Sequence, residues 1–269
     1  MGPAPQAITS RQNPLVARFR DAARGETDLL LLDGAHLVTE ALNAGIRLRE
    51  AVVANTAAAR PEIFALTSQL ASQGVTLAAA SAAVMSALSP VRSPSPIVAL
   101  AERPATDDAR AYRGTPLIIV AIDVQDPGNL GAIVRVAEAG GASGFVAAGT
   151  SADPFGWKAL RGSMGSALRL PILRRPDPAV AAAEARRQGC RILATVPRNG
   201  RSLFEAKLSG AVAILIGGEG HGLSAVLVAG ADERVTIPMR EPVESLNAAV
   251  TAGLFVYEAL RQRNSKLRT

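Results

Sequence analysis

Three short stretches contain polar side chains of the types that position substrates or move protons. "GGEGHGLS" occupies residues 217–224, "VTIPMREPVESLN" residues 235–247, and "DPGNLGAIVR" residues 126–135. The first follows an apolar, strand-like run, and its glycines leave the backbone accessible around one carboxylate and one imidazole. The second begins with a short strand and continues as a proline-bracketed loop that leads into a helix. Two loops of this kind at strand ends are suited to holding a small molecule against the backbone.

The same residues argue against several common reaction types. The glycines of residues 217–224 lack the G-x-G-x-x-G spacing of a dinucleotide-binding loop, which disfavours a nucleotide-dependent oxidoreductase. No Walker, H-E-x-x-H or G-x-S-x-G motif occurs. The histidines are His36 and His221, and the one cysteine is Cys190. Histidine-based triads, zinc hydrolysis, a metal site and an internal disulfide are therefore not expected, and Cys190 is predicted to be a small core residue.

The composition indicates a globular protein with an acidic partner. Hydrophobic residues make up 48% of the 269 residues, but aromatic residues only 3%, so the core must be mostly aliphatic. The net charge of +6 favours nucleic acid as the partner, although an arginine-rich composition without functional meaning is the alternative. No long uncharged apolar run and no apolar signal core are present, so we expect a cytoplasmic protein without a membrane span.

The N-terminal part shows alternating strand and helix patterns. Asn13, Pro14 and Gly25 predict the N-cap, first residue and end of a helix. The alternation predicts a small parallel or mixed sheet with helices on its faces. A segment rich in Pro, Asp and Arg, "AERPATDDARAYRGTP", then marks the best boundary. We therefore predict a small α/β domain at residues 1–103, a linker at 104–115 and a second α/β domain at 116–269.

In the second domain, the pattern predicts strands, caps and one closing helix. Residues 117–122 are apolar throughout, as in a central parallel strand. Asn129 is predicted to cap the helix that follows, and Ser245 to cap the closing helix. The closing helix carries one apolar stripe at helical spacing, which is predicted to face the core; it comprises Leu246, Val250, Leu254, Tyr257 and Leu260. Taken alone, these features indicate a doubly wound sheet, because knots are nearly absent from folds in general.

Taken together, the motifs resemble the SpoU-type (TrmH-like) family of RNA ribose 2′-O-methyltransferases. The resemblance covers residues 117–263 and rests on three segments, "DPGNLGAIVRVAEAGGASG", "AILIGGEGHGLS" and "IPMREPVESLNAAVTAGLFVYEALRQR". The N-terminal part is more loosely similar to the small substrate-binding domain that precedes the catalytic domain in many members. The resemblance implies a deep trefoil knot in the C-terminal domain, S-adenosylmethionine as methyl donor, and a ribose 2′-hydroxyl in structured RNA as acceptor. It also implies a homodimer, and the apolar stripe on the closing helix is wide enough to serve the core and the subunit interface together.

The resemblance also implies which residues form the site. The expected cofactor-binding residues are Thr195, Val196, Gly217, Gly218, Ile237, Met239 and Leu246. The expected catalytic residues are Asn129, Arg135, Glu219, Ser245 and Asn247. Weaker expectations for RNA contact are Arg11, Arg18, Arg161 and Ser163.

The reaction itself limits what these residues can do. Methyl transfer from a sulfonium to a hydroxyl oxygen needs in-line placement and removal of a proton, and it needs no metal. A guanidinium does not readily lose a proton, so we expect Arg135 to bind the ribose or an adjacent phosphate and to stabilise the developing alkoxide. A role as base would require strong desolvation. Glu219 is expected to orient Arg135, and Asn247 to position the hydroxyl.

The sequence leaves several functions open. Ribosomal RNA is the favoured substrate, since the resemblance includes an extra N-terminal domain, and transfer RNA is its rival. A methyltransferase that protects the ribosome against an antibiotic is a narrower variant of the first. A non-catalytic RNA-binding protein on the same scaffold is the third, and it predicts damaged cofactor loops, which the sequence does not show.

Overall fold

The computed structural model describes residues 6–91 and 93–264, and helices and strands alternate in the N-terminal part as the sequence predicts. The elements of the N-terminal part are β1 (Gln6–Ile8), α1 (Pro14–Arg24), β2 (Leu29–Asp33), α2 (Ala35–Asn43), β3 (Leu48–Ala54), α3 (Pro61–Ser72), β4 (Thr76–Ala80), α4 (Ala82–Leu88) and β5 (Ile97–Glu102). The elements that follow are α5 (Asp108–Ala111), β6 (Leu117–Ile122), α6 (Pro127–Ala139), β7 (Gly144–Ala148), α7 (Trp157–Ser163), β8 (Ile172–Arg175), α8 (Pro178–Arg187), β9 (Arg191–Thr195), β10 (Arg201–Ser202), β11 (Val212–Gly217), α9 (Ala225–Gly230), β12 (Glu233–Thr236) and α10 (Ala248–Arg263). None of the helices in the described ranges has the length and hydropathy needed to cross a bilayer.

The contacts between residues divide the chain into two compact units. The first contains the chain up to Ala105 together with Phe155–Leu168, and the second contains Thr106–Pro154 together with the chain from Arg169 onward. The segment Phe155–Leu168, which includes α7, therefore groups with the N-terminal part although it lies within the second half of the sequence.

The first unit has a mixed sheet with strand order β1-β4-β3-β5-β2. Strand β5 runs antiparallel to β2 and β3, and the other pairs are parallel. Helix α1 starts as predicted, because the Asn13 side chain accepts the Leu15 N–H at 2.9 Å and Gly25 ends the helix at φ +75°. Phe19 and Leu31 are among the buried residues of the core, and Trp157 packs against it half-buried. Trp157 thus fills an edge of this core.

The second unit has a parallel sheet with strand order β10-β12-β9-β11-β6-β7-β8. Every residue of β6 is buried, which confirms the central strand predicted from its uninterrupted apolar run. After β6, the chain adds β7 and then β8 on one side of that strand. It then continues on the other side of β6, where β11 pairs with β6 and β9 pairs with β11. Ligands bind at such a reversal of strand order, outside the carboxyl ends of the strands. Here the reversal lies at the ends of β6 and β11.

Helix α10 packs closely against α6, and the face that it buries differs from the predicted apolar stripe. A Cβ atom placed on Gly140, at the end of α6, would overlap the side chain of Val256. The buried face of α10 is formed by Ala248, Ala252, Phe255, Val256 and Ala259. Three members of the predicted stripe are exposed instead, namely Val250, Leu254 and Tyr257. The prediction that the stripe also serves the core is therefore wrong, because small residues on the opposite side of the helix allow the closer approach.

The one cysteine is a core residue, as predicted. Cys190 packs in the apolar cluster of the second unit with Ile192 and Ala185. Burial raises the pKa of its thiol to about 11, so the side chain stays neutral and unreactive.

Candidate cofactor and catalytic site

A cavity of about 450 Å³ opens beside the carboxyl ends of β9, β11 and β12. Its volume lies in the range of small-molecule sites. It is lined by all seven residues expected from the sequence to bind cofactor: Thr195, Val196, Gly217, Gly218, Ile237, Met239 and Leu246. Glu219, Ser245 and Asn247 also line the cavity.

Helix α10 contributes lining residues that were not predicted from the sequence. Thr251 and Phe255 face the cavity from this helix. They were missed because the predicted stripe assigned a different face of the helix to the interior. Thr251 could have been predicted, because it lies four residues after Asn247 and side chains at i and i+4 share one face of a helix.

The glycines at the end of β11 allow the backbone to approach the neighbouring loops. A Cβ on Gly217 would overlap the backbone of Gly222, and a Cβ on Gly218 would overlap the carbonyl of Asp123. The Gly218 N–H donates to the Ile122 carbonyl at 2.7 Å. The lining here is therefore bare backbone, and no larger residue fits at either position without movement of the loops.

A chain of hydrogen bonds joins one side chain from each of the three motifs. The Asn129 side chain donates through Nδ2 to the Glu219 carboxylate. Its Oδ1 accepts a hydrogen bond from Nδ2 of Asn247 at 3.1 Å. The side-chain Oδ1 of Asn247 accepts the backbone N–H groups of Ala249 and Val250 at 2.8 and 3.3 Å. Because these N–H groups can only donate, they orient the Asn247 amide so that its N–H faces Asn129. Glu219 and the start of α10 thus fix the orientation of both amides.

Two predicted helix caps are wrong. Helix α6 begins at Pro127 and is capped by Asp126, whose carboxylate accepts the Asn129 N–H at 2.7 Å. Proline suits the first helical position because its missing N–H is not needed there, so the cap is the residue before Pro127, three positions before the predicted Asn129. Helix α10 is capped by Asn247 rather than by Ser245, which is exposed at the cavity wall. Both asparagine and aspartate are strong N-caps.

Arg135 lies on the exposed side of α6. Its side chain makes no hydrogen bond or ion pair within residues 6–91 and 93–264, and the Glu219 carboxylate accepts from the side-chain amide of Asn129 instead. The expectation that Glu219 orients Arg135 does not match this arrangement. The guanidinium keeps its donors available for a ligand from outside the chain.

The basic residues near the N-terminus differ in how they are neutralised. Arg18 forms an ion pair with Glu50. Arg11 and Arg20 instead donate through Nε to backbone carbonyls of α4, each at 3.1 Å, and they have no carboxylate partner among the described residues. Of the predicted RNA contacts in this region, Arg11 keeps an uncompensated charge and Arg18 does not.

The two predicted RNA contacts in α7 also differ. Arg161 is exposed, whereas Ser163 is fully buried. The Ser163 hydroxyl donates to the Leu160 carbonyl at 2.9 Å and accepts the Ala167 N–H at 3.4 Å. A direct RNA contact by Ser163 is incompatible with this burial, because the small hydroxyl is used to close the turn after α7.

The parallel sheet, the glycine loop and the amide–carboxylate chain define an α/β protein with a small-molecule site at the strand reversal. A sequence profile of the SpoU rRNA Methylase family matches residues 116–257, and a profile described as Thiostrepton-resistance methylase, N terminus, matches residues 5–114. The chain belongs to the SpoU rRNA methylase family. The family predicted from the three motifs is thus confirmed.

Relatives of known name span nearly the whole chain. The 23S rRNA (guanosine(2553)-2′-O)-methyltransferase RlmP of Bacillus subtilis is 32% identical over 87% of this chain and 89% of its own. The AdoMet-bound rRNA methyltransferase of Sinorhizobium meliloti has a TM-score of 0.84 at 28% identity, covering 97% of this chain and 99% of that one. The SpoU methyltransferase AviRb of Streptomyces viridochromogenes, in complex with AdoMet, has a TM-score of 0.82 at 28% identity, covering 94% and 99%.

Proposed function

We propose that this protein transfers a methyl group from S-adenosylmethionine to a ribose 2′-hydroxyl of 23S ribosomal RNA. The observation that supports this most directly is the cavity at the strand reversal, together with the amide–carboxylate chain that joins the three family motifs beside it. The names of RlmP and of the AdoMet-bound relatives agree with the activity and the cofactor predicted from the sequence. Such a reaction takes place in the cytoplasm, where ribosomes are assembled.

The cavity fits S-adenosylmethionine in size and in the character of its wall. Gly217 and Gly218 present backbone, Ile237 and Leu246 present apolar surface, and Thr195 closes the side at the end of β9. The adenine ring of the cofactor needs apolar walls and a few backbone hydrogen bonds, and these lining residues supply both. When bound, the cofactor supplies a methyl group that its sulfonium has already activated.

The polar chain beside the cavity positions the acceptor. Asn129 and Asn247 are held in fixed orientations by Glu219 and by the start of α10, so little reorganisation is needed when a ribose hydroxyl arrives. Ser245 lines the same wall and adds a hydroxyl. Arg135 binds the ribose or its phosphate and stabilises negative charge on the hydroxyl oxygen as its proton leaves to solvent.

We further propose that the second unit forms the trefoil knot and the homodimer of its family. Exposed apolar side chains on α10, Val250, Leu254 and Tyr257, surround a shallow depression with Phe204. Exposed apolar residues clustered in this way are typical of a surface that another subunit covers. Sedimentation equilibrium of the protein and of a Leu254→Glu variant tests the homodimer. The introduced charge is expected to shift the measured solution mass from that of a dimer toward that of a monomer.

Methyl transfer in vitro tests the proposal. The protein is incubated with methyl-labelled S-adenosylmethionine and either ribosomal or transfer RNA, and the label is recovered as 2′-O-methyl nucleoside after digestion. Incorporation into 23S rRNA at one site is expected. Label in transfer RNA alone would favour the rival substrate, and absence of cofactor binding by calorimetry would favour a non-catalytic RNA-binding protein.

A further inference from the structure

Asp123 has an uncommon backbone conformation just after the central strand β6. Its φ of +57° lies in the left-handed region, which few residues other than glycine, asparagine and aspartate adopt. Its carboxylate accepts two hydrogen bonds from Thr150, one from the backbone N–H at 2.8 Å and one from the hydroxyl at 2.9 Å. A Cβ on Gly149 would overlap this carboxylate. The local structure therefore holds Asp123 in a conformation that costs energy.

The backbone of Asp123 forms the surface on which the glycine loop rests. Its carbonyl oxygen occupies the space that a Cβ on Gly218 would need, and the carbonyl of the preceding residue, Ile122, accepts the Gly218 N–H at 2.7 Å. Glu219 follows immediately. The position of Asp123 thus sets the position of Gly218 at the cavity wall and of the carboxylate that binds Asn129.

The loop that leads from Asp123 to Asn129 is fixed to the loop that contains Thr150. The Val124 N–H donates to the Ser151 hydroxyl at 3.1 Å, and the Val124 carbonyl accepts the Ala152 N–H at 2.9 Å. The Gln125 amide donates to the Thr150 hydroxyl at 3.3 Å. These bonds hold residues 123–125 against residues 150–152.

We propose that Asp123 and Thr150 are positioning residues for the methyl-transfer reaction. By holding residues 123–125 in place, they align Asn129 from the first motif with Glu219 from the second. Neither Asp123 nor Thr150 lines the cavity, so both act through other residues rather than on a substrate. The inference rests on the function proposed above.

Variants at position 123 separate the carboxylate from the backbone strain. Asp123→Ala and Asp123→Gly both remove the acceptor, but only glycine relieves the left-handed conformation. We expect both to lower kcat about 10- to 100-fold, since small misplacements of reacting groups have effects of this size, with the RNA KM and the cofactor Kd within about threefold. Asp123→Asn retains an acceptor and tolerates the conformation, so it should restore most of the activity. Full activity of Asp123→Gly would overturn the proposal.

A double variant and an exchange measurement distinguish positioning from general destabilisation. In an Asn129→Ala background, Asp123→Ala should cause no further loss of kcat, because both changes disrupt the same alignment. Losses that multiply would contradict the proposal. The control is Asp177→Ala, which removes a carboxylate that, within the described ranges, accepts only the Ala179 N–H at the start of α8.

Hydrogen exchange gives a readout that does not depend on activity. Faster exchange is expected in residues 124–132 and 217–222 of Asp123→Ala and not of Asp177→Ala. Unchanged exchange in both segments would overturn the inference even if the protein methylated no RNA. An inactive wild-type protein with the expected exchange would instead contradict the proposed function alone.

Discussion

Substitution of Gly217 by alanine should weaken cofactor binding through a collision that the structure defines. The added Cβ would overlap the Gly222 backbone, which has no flexible side chain that could turn away. The free protein can relieve the overlap by moving the glycine loop, but binding would require the loop to return to the cavity wall. Overpacking of this kind costs about 1–3 kcal/mol. If that cost falls on the bound state, the Kd for S-adenosylmethionine rises about 5- to 150-fold.

Isothermal calorimetry of the purified variant with S-adenosylmethionine measures this change directly. The matched control is Gly230→Ala. Among the described residues, a Cβ at Gly230 would have no heavy atom within 4 Å apart from its chain neighbours and the backbone of its own helix, and the φ of Gly230 is not positive. Gly230→Ala should bind the cofactor as the wild type does, and both variants should retain the wild-type circular dichroism. A wild-type Kd for Gly217→Ala would refute the placement of the cofactor against this loop.

Three further predictions concern other parts of the molecule. Asn247→Asp should keep the melting temperature within about 2 °C, because aspartate is also a good N-cap, but lower kcat about 10- to 100-fold because a carboxylate cannot donate to the adjacent amide. The double variant Arg11→Ala/Arg20→Ala should reduce the slope of log K for RNA against log salt concentration by about two, whereas Arg24→Ala, whose charge is paired with two carboxylates, should leave it unchanged. Cys190 should resist a thiol reagent at pH 8.5, because burial raises its pKa to about 11 and keeps the thiolate scarce, and it should react fully after unfolding in urea, as followed by mass spectrometry. Each expectation has an outcome that would contradict it. These outcomes are a changed melting temperature for Asn247→Asp, an equal salt slope for both arginine variants, and rapid labelling of the native Cys190 thiol.

The sequence was sufficient for the order and type of most elements because the apolar periods are unambiguous. The uninterrupted run in β6 and the Asn13–Pro14 start of α1 are examples. The orientation of α10 could not be obtained in this way. Its apolar residues surround the helix, and the buried face was decided by small residues such as Ala252 that permit close packing on α6.

The site residues could be named from motifs, but their connections could not. The position of Asn247 in the sequence does not reveal that one amide both caps α10 and donates to Asn129. Likewise, Asp123 has no motif that distinguishes it from other loop aspartates, and its left-handed backbone is visible only in three dimensions. Contacts between residues far apart in sequence decide these roles, and no local pattern records them.

Site-specific mapping of 2′-O-methylation in 23S rRNA tests the central claim most directly. RNA is prepared from cells with the gene, without it, and without it but carrying the wild-type or the Gly217→Ala chain. The proposed function predicts one ribose methylation that disappears on deletion, returns with the wild-type chain and returns weakly or not at all with the variant. A 23S rRNA methylation map that is identical with and without the gene would contradict it.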